Sequence, residues 1–293
     1  MLERKRFDLY HRVTDQIVEA IEKGAGKFEM PWHTADAPVT EPRNAVSGSP
    51  YKGVNIIVLW ATAYAKGYQH GYWATYRQWQ ELGGQVRKGE TGTAVIFYKQ
   101  LPLSYEDIET GEEIQDYRLV MRAFTVFNAS QVEGWTPPEK PRRDLVTIDH
   151  DVEGFIAHTG ADLRFSSSEA CYVRAEDYIQ LPPRDRFTGT KTSSPTEAFY
   201  STVFHELVHW TGHNKRLGRN LSARFGQEDY AMEELVAELG AAYLCAWFEV
   251  SNEPRPDHAA YVANWLKVLK NDKRAIFAAV SKASEATGFL LNT

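Results

Sequence analysis

The run His205-Glu206-Leu207-Val208-His209 constrains this chain more than any other part of its sequence. Residues four apart on an α-helix lie on the same face, so the imidazoles of His205 and His209 can bind one metal ion. The glutamate beside the first histidine can hold and deprotonate a water molecule on that metal. This arrangement is typical of zinc hydrolases, chiefly peptidases, provided that the run lies on a helix.

The flanking sequence predicts such a helix. Ser194 suits the N-cap, Pro195 the first helical position, and Glu197 the second half of a Ser-x-x-Glu capping box. Gly212 is a natural end. Apolar residues recur between them at helical spacing, namely Phe199, Val203, Leu207 and Trp210. The metal motif therefore has a helix on which its geometry works.

A catalytic zinc needs a third protein ligand and keeps one position for water. A second helix is predicted from one apolar stripe, formed by Leu235, Leu239, Ala242 and Ala246. Glu234 and Glu238 share another face of that helix. We assign Glu234 as the third ligand and Glu238 as the carboxylate that orients a ligating imidazole. Glu233 points about a third of a turn away and is the weaker choice of ligand.

His213 stands four residues after His209, on the same predicted face. The zincin pattern with three histidines places glycine three, and histidine six, residues after the second histidine. Gly212 fits that pattern, but Lys215 occupies the histidine position. We therefore expect His213 to lie beside the ligands, in a loop or cleft wall, without binding the metal.

Composition describes a globular protein, with 43% apolar and 25% charged residues, and its 293 residues suit two ordinary domains. No apolar run is long enough for a transmembrane helix, and the first eight residues lack the apolar core of a secretory signal. Cys171 and Cys245 are too few for a disulfide framework and are expected to be small buried thiols. We expect a cytoplasmic protein with no membrane partner and no dinucleotide cofactor.

A proline-rich stretch, Pro137–Arg143, divides the chain. We predict a first domain over residues 1–136, a linker over 137–147 and a second domain over 148–293. The first domain is predicted to be α+β, with a helix over 55–65 and a hairpin of strands 93–99 and 117–127. The second is predicted to be mostly helical, with strands over 161–165 and 170–175 and one long final helix that carries residues 260–280.

The net charge of −6 argues weakly against nucleic acid as a partner. Six acidic residues are predicted to form a solvated loop in the hairpin, namely Glu106, Asp107, Glu109, Glu112, Glu113 and Asp116. Without them, residues 1–145 carry 18 basic against 13 acidic side chains, which leaves room for a basic face. Tyrosines beside cations, as in Tyr51-Lys52 and Tyr76-Arg77, suit a groove for single-stranded nucleic acid, although aromatic residues are more often core.

Many ordered motifs in the N-terminal half resemble the single-stranded-DNA-binding domain of the ArdC-type antirestriction proteins of conjugative plasmids, which also begins plasmid primases of the TraC kind. The matching residues are Pro31-Trp32, Pro42-x-Asn44, Ser47-Gly48-x-x-Tyr51-x-Gly53-x-Asn55, Gly67-Tyr68, Trp73-x-Thr75-Tyr76-x-Gln78, Gly83-Gly84-x-Val86-x-Lys88-Gly89-Glu90 and Val126-Phe127-Asn128-x-x-Gln131. The resemblance implies binding of single-stranded DNA and protection of incoming DNA from restriction. We expect contacts from Tyr51, Lys52, Asn55, Trp73, Tyr76, Arg77, Arg87, Lys88 and Lys99.

The C-terminal half resembles the zincin-like domain of the same family. The matching residues are His205–His209, Trp210-Thr211-Gly212-His213, Arg216-Leu217-x-Arg219 and Glu233-Glu234-Leu235-Val236-Ala237-Glu238-Leu239-Gly240. The resemblance implies a gluzincin-type peptidase fold with two histidines and one glutamate as ligands. It supports Glu234 as a ligand, whereas Glu238 stands where related peptidases have asparagine.

These expectations describe an antirestriction protein that binds single-stranded DNA and carries a metallopeptidase-type domain. One Zn²⁺ per chain is expected at His205, His209 and Glu234, with Mn²⁺ or another divalent ion as an alternative, and Glu206 polarises the attacking water. A protein or peptide substrate is a further expected partner. Two alternatives stay open, a pure DNA-binding protein with a structural or vestigial metal site and a stand-alone metallopeptidase.

Overall fold

A computed structural model of the chain describes residues 14–15, 17–19, 22, 41–68, 70–106, 113–138, 145–166, 169–188, 194–219, 228–250, 258–272 and 274–293. Asp107, Glu109 and Glu112 of the predicted acidic loop lie outside these residues, as do Pro31-Trp32 and most of the predicted linker. For Lys99 the structure describes the backbone but not the side chain. Among the described residues, no helix combines the length and apolarity needed to cross a membrane.

The N-terminal half is built on a four-stranded sheet in the order β1-β2-β5-β4. Its strands are β1 (Arg43–Asn44), β2 (Tyr72–Thr75), β4 (Thr93–Glu106) and β5 (Glu113–Asn128), with β3 (Gln85–Val86) and β6 (Val132–Glu133) forming a separate pair. β1 and β2 are parallel, and the other neighbours are antiparallel. The helices α1 (Val54–Lys66) and α2 (Tyr76–Glu81) accompany these strands. The predicted α+β class is confirmed.

The predicted hairpin is present but its strands are longer than expected. β4 and β5 stay in register as far as the pair Glu106 and Glu113, and Asp116 pairs with Leu103. The prediction that Glu106, Glu113 and Asp116 lie in a loop is therefore wrong. A strand ladder is made by backbone groups, so a run of acidic side chains does not by itself end it.

Asn55 of α1 protects the free edge of this sheet. β4 is an edge strand, and its residue Ile96 has backbone groups that point away from β5. The Asn55 amide donates to the Ile96 carbonyl, and its oxygen accepts from the Ile96 amide, each at 2.7 Å. Satisfying buried backbone groups in this way fixes α1 against the sheet.

In the C-terminal half, the described residues form a three-stranded sheet and five α-helices. The sheet order is β7 (Asp162–Phe165), β9 (Tyr178–Leu181), β8 (Cys171–Val173), with β7 parallel and β8 antiparallel to β9. The helices are α3 (Leu145–Thr159), α4 (Pro195–Thr211), α5 (Glu228–Phe248), α6 (His258–Asn271) and α7 (Ala275–Asn292). α3 begins inside the stretch predicted as linker.

Two elements of this half differ from the sequence prediction. The central strand β9 was not expected, although Ile179 and Leu181 alternate along it and are fully buried. The long final helix is two helices, because the chain turns at Asp272. There the Asp272 side chain accepts from the Arg274 amide at 2.8 Å, and its carbonyl accepts from the Ala275 amide at 3.1 Å.

A single hydrophobic core joins the two halves. α1 packs against α7, and the ring of Trp60 on α1 lies 5.8 Å from that of Tyr243 on α5. Ile57 of α1 and Leu244 of α5 are both fully buried in the same cluster. A smaller cluster around Trp79 stabilises α2 and the β3–β6 pair. The helices that carry the metal motif are thus held rigidly against the N-terminal half.

Candidate metal centre

The helix that carries both histidines begins as its sequence predicts. The Ser194 side chain accepts from the Glu197 amide, and the Glu197 carboxylate accepts in return from the Ser194 amide at 2.9 Å. Pro195 stands in the first turn. The helix ends at Gly212, whose φ of −74° is an ordinary helical value. The capping box therefore fixes the start of α4, while its end does not use the left-handed freedom of glycine.

A glycine lets the second helix approach the first. A Cβ built on Gly240 of α5 would lie 2.6 Å from Cγ2 of Val208 on α4, which is far too close. The side chain of Val208 packs directly on the α5 backbone at this point, because residue 240 has no side chain. This close approach brings the Glu234 carboxylate next to the imidazoles of α4.

The three predicted ligands converge. Nε2 of His205 and Nε2 of His209 lie 3.2 Å apart, and they lie 3.5 and 3.6 Å from the two oxygens of Glu234. A tetrahedral zinc with bonds of about 2.1 Å separates its ligand atoms by roughly 3.4 Å. The observed spacing therefore fits a small divalent cation without rearrangement. Among the described residues these three form the one group whose donor atoms meet this closely.

The charges of the site suit a cation. Burial raises the pKa of the Glu234 carboxyl, but the neighbouring His209 and His205 lower it well below its usual range. Burial also lowers the pKa of His209, yet Glu234 and Glu233 outweigh this effect and raise it to about 10. The two neighbouring carboxylates therefore favour the protonated form of His209 in the metal-free site. A divalent ion at this position would replace that proton.

Glu233, which sequence reasoning placed away from the ligands, holds one of them. Its carboxylate lies 3.2 Å from Nδ1 of His209, on the opposite side of the ring from Glu234. Arg219 donates to the same carboxylate through Nε at 3.1 Å and Nη2 at 2.9 Å. Arg219 also donates to the Val208 carbonyl at 2.6 Å and to Thr211 Oγ1 at 2.7 Å. We call Glu233 and Arg219 the buried clamp.

Glu238 lies where the sequence places it, beside the other histidine. Its nearer oxygen is 3.7 Å from Nδ1 of His205, slightly beyond hydrogen-bond distance. That Nδ1 is buried and has no hydrogen-bond partner among the described residues. The assignment of Glu238 as the residue that orients His205 therefore stays a prediction. The imidazoles of the two predicted histidine ligands each have one carboxylate behind them, Glu238 for His205 and Glu233 for His209.

His213 lies in the turn after α4, away from the three converging ligands. Its Nδ1 accepts from the Lys215 amide at 3.2 Å and lies 3.8 Å from Asp177. Asp177 is also hydrogen-bonded by Arg216 and Tyr172, which lowers its pKa to about 2. The guanidinium of Arg216 stacks on Trp210, 3.7 Å from the ring centre. This network ties the turn after the metal helix to the small sheet.

Glu206, the predicted general base, is buried with 3% of its surface exposed. Its carboxylate has an electrostatic effect on a residue of the edge strand β8. Burial raises the pKa of the Cys171 thiol on that strand, and the Glu206 carboxylate raises it further. Both cysteines are free thiols, as the sequence predicts, and Cys245 is buried as expected. The prediction that Cys171 is buried is wrong, because the edge strand β8 leaves it exposed.

The residues predicted to contact DNA fall into two groups. Tyr51 and Asn55 are each 5% exposed and Trp73 is 1% exposed. In this conformation they are structural, because the Tyr51 hydroxyl donates to the Trp73 carbonyl at 3.4 Å and Asn55 holds β4. These three residues belong to the motifs shared with the family, and in this structure they stabilise the fold of the domain. No sequence signal separated them from surface residues, since buried and exposed aromatics look alike in a sequence.

The other predicted contacts are exposed. They are Lys52, Tyr76, Arg77, Arg87 and Lys88. Arg77 forms an ion pair with Glu81 at 3.1 Å, and Arg87 one with Glu90 at 2.8 Å. The side chain of Lys99 lies outside the description. These five side chains are therefore accessible to a ligand that binds the N-terminal half.

Comparison with known proteins assigns both halves of the chain. A family model described as the N-terminal domain of the anti-restriction factor ArdC matches residues 7–127, and one described as a zincin-like metallopeptidase matches residues 150–282. The two matches lie on either side of the predicted linker. The resemblance noted in the sequence is thereby confirmed.

Whole-chain relatives agree with this assignment. The Sinorhizobium fredii protein y4eC is 44% identical over 286 residues, which cover 97% of this chain and 91% of that protein. The Escherichia coli DNA primase TraC is 32% identical over 296 residues, but the match covers 96% of this chain and only 27% of the primase. The chain therefore corresponds to about a quarter of that larger protein.

Solved structures of the antirestriction protein ArdC from plasmid R388 match the whole fold. The metal-free structure has a TM-score of 0.76 and 41% sequence identity, and the match covers 97% of each chain. The Mn(II)-bound structure has a TM-score of 0.75 and 39% identity over the same share. Taken with the converging ligands and the two family models, this likeness shows that the chain belongs to the ArdC antirestriction family.

Proposed function

We propose that this protein binds single-stranded DNA as it enters the cell, protects it from restriction, and carries a divalent-metal centre of the peptidase type. We place its action in the cytoplasm, where entering DNA meets restriction enzymes. The observation that carries the proposal is the convergence of His205, His209 and Glu234, with Glu206 buried beside them, in a member of the ArdC family.

One zinc ion per chain is the metal that we propose, because two imidazoles and one carboxylate are a common catalytic set for zinc. The structure of a relative with bound Mn(II) supports manganese as the alternative. Titration of the metal-free protein with each ion, followed by calorimetry, would rank the two. Zinc is expected to bind more tightly in the order of divalent-ion affinities, whichever metal the cell supplies.

Glu206 is the residue for which we propose a chemical step. A divalent cation held by the three ligands supplies Lewis acidity and makes water more acidic. Glu206 takes a proton from the attacking water as the bond between that oxygen and a peptide carbonyl carbon forms. It then delivers the proton to the leaving amine as the carbon–nitrogen bond breaks. The buried clamp keeps His209 oriented throughout.

Substitution of Glu206 separates this proposal from a purely structural metal site. Glu206→Gln is expected to keep the fold and the metal affinity while lowering antirestriction activity, measured as survival of plasmid DNA transferred into a restricting host. A structural or vestigial site gains nothing from a general base. Full activity in Glu206→Gln would therefore favour the pure DNA-binding alternative. Glu176→Gln, an exposed acidic residue in the same half, is the control.

The DNA-binding part of the proposal is supported by the exposed cations and Tyr76 on the N-terminal half. Binding through phosphates should weaken as salt rises, with a log–log slope of about −0.7 per phosphate for single strands. Affinity of the full chain for an oligonucleotide, measured across salt concentrations, tests this expectation. A protein with no measurable affinity at low salt would instead be a stand-alone metallopeptidase.

A further inference from the structure

Two exposed phenylalanines lie side by side on the four-stranded sheet, next to the part that the core covers. Phe97 of β4 is 46% exposed and Phe124 of β5 is 42% exposed, whereas Val95 and Val126, their neighbours along the two strands, are buried. The two rings meet edge to face, with their centroids 5.5 Å apart. Sequence reasoning named neither residue, since both fall within apolar strand patterns that predict core.

The position of this pair on the ladder defines a small surface. Val95 is paired with Phe124 and Phe97 with Arg122, so the two rings are diagonal neighbours on one face of the hairpin. Leaving large apolar side chains in water is unfavourable, and burying them against a ligand would be favourable. Two such side chains next to each other at the surface are therefore a candidate contact site.

One cation lies directly beside the pair, and a second follows a neighbouring ring in the chain. Arg122, which stands directly opposite Phe97, is exposed and forms no ion pair with a described residue. On the other flank the ring of Tyr51 lies 6.3 Å from that of Phe97, and the exposed Lys52 follows it in the chain. The surface therefore combines two flat rings with the positive charge of Arg122, and Lys52, a cation that the sequence had singled out, is the residue after the neighbouring Tyr51.

We propose that Phe97 and Phe124 form a stacking platform for the bases of single-stranded DNA, with Arg122 and Lys52 contacting the adjacent phosphates. Every base has a π-face, so stacking on phenylalanine tolerates any sequence, while cations beside the rings follow the backbone. An apolar protein partner would leave both cations without counter-charges in a desolvated rim. The platform rests on the DNA-binding function proposed above and specifies its surface.

The test uses the full chain and a fluorescently labelled oligothymidylate, with anisotropy measured across salt concentrations. Phe97→Ala and Phe124→Ala are each expected to weaken binding by about 5- to 150-fold, with the salt slope unchanged. Arg122→Ala is expected to weaken binding and to reduce the slope by about 0.7. Phe165→Ala and Arg186→Ala, exposed residues of the C-terminal half, should change neither quantity.

Leucine variants guard against a loss of fold. Phe97→Leu and Phe124→Leu keep the apolar volume but remove the flat ring, so they should also weaken binding while the melting temperature is kept. If the wild-type chain binds at low salt and all four phenylalanine variants stay within twofold of it, the platform is wrong and the proposed function stands. If the wild-type chain shows no affinity, the proposed function itself fails.

Discussion

The buried clamp offers a prediction whose size follows from the structure. The side chains of Glu233 and Arg219 are 10% and 4% exposed, and together they join His209, Val208 and Thr211. Glu233→Gln leaves the Arg219 charge buried without a counter-charge. Breaking one side of a buried ion pair costs about 3–5 kcal/mol. At about 2–4 °C per kcal/mol, we expect the melting temperature to fall by about 6–20 °C.

The same substitution should weaken metal binding. Removing a group that orients a ligating histidine typically costs about 10- to 100-fold in metal affinity. Thermal denaturation of the metal-free protein and calorimetric titration with Mn²⁺ or Zn²⁺ measure the two effects separately. Below its melting temperature the variant remains folded, so the affinity change reports on the orientation of His209 and not on loss of the fold.

A matched surface pair serves as the control. Arg77 and Glu81 form an exposed ion pair four residues apart on α2, with side chains 89% and 55% exposed. Glu81→Gln should cost no more than about 0.5 kcal/mol and leave metal affinity unchanged. The double variant Glu233→Gln, Arg219→Met should cost less than the sum of its single variants, because no charge is left alone. If Glu233→Gln behaves like Glu81→Gln in both assays, the reasoning about the clamp is refuted.

Three further predictions follow from the same region. Metal binding at pH 7 should release about one proton, because the pKa of His209 is raised to about 10. Calorimetry in buffers of different ionisation enthalpy measures the number of protons released. Binding without proton release would contradict the assignment of His209 as a ligand that loses its proton to the metal. Asp177 has its pKa lowered to about 2 from an ordinary 3.8, so its stabilising effect is complete above about pH 4 and is lost as the pH falls towards 2. The difference in urea stability between the wild type and Asp177→Asn should therefore narrow from pH 5 to pH 3, by roughly 0.5–1 kcal/mol after allowance for solvent screening. Gly240→Ala should destabilise the protein by about 1–3 kcal/mol through its clash with Val208. Gly288→Ala has open space around it and should instead stabilise the protein by up to about 1 kcal/mol through helix propensity. Equal effects of the two substitutions in denaturant titrations would contradict the role of Gly240 in helix packing.

Local rules predicted the metal helix well because its signals act over short distances. The capping box from Ser194 to Glu197 and the four-residue spacing of His205 and His209 depend on neighbours along the chain. Glu234 could be named since the ligand chemistry required a carboxylate and the second helix offered one. The break at Asp272 was missed because an apolar pattern runs through it on both sides.

Contacts between distant segments were beyond the same reasoning. Arg219 lies in the segment after α4 and Glu233 on the next helix, so their pairing behind His209 follows from how α5 packs on α4. The burial of Trp73 and the exposure of Phe97 are equally a matter of packing, since each is an aromatic residue in a strand pattern. The set of residues predicted from residue type to contact DNA therefore includes buried ones such as Trp73, while the exposed ring of Phe97 is not in it.

The sequence by itself predicted the three candidate metal ligands that converge in the fold, because a ligand motif and its capping residues are set by positions close together in the chain. It also determined the α+β class and the family motifs in their order. Only the tertiary structure decided which carboxylate orients His209, which aromatic rings face solvent, and that both halves share one core around Trp60 and Tyr243. Those features depend on which surfaces meet when helices and sheets pack, and chain order does not specify that meeting.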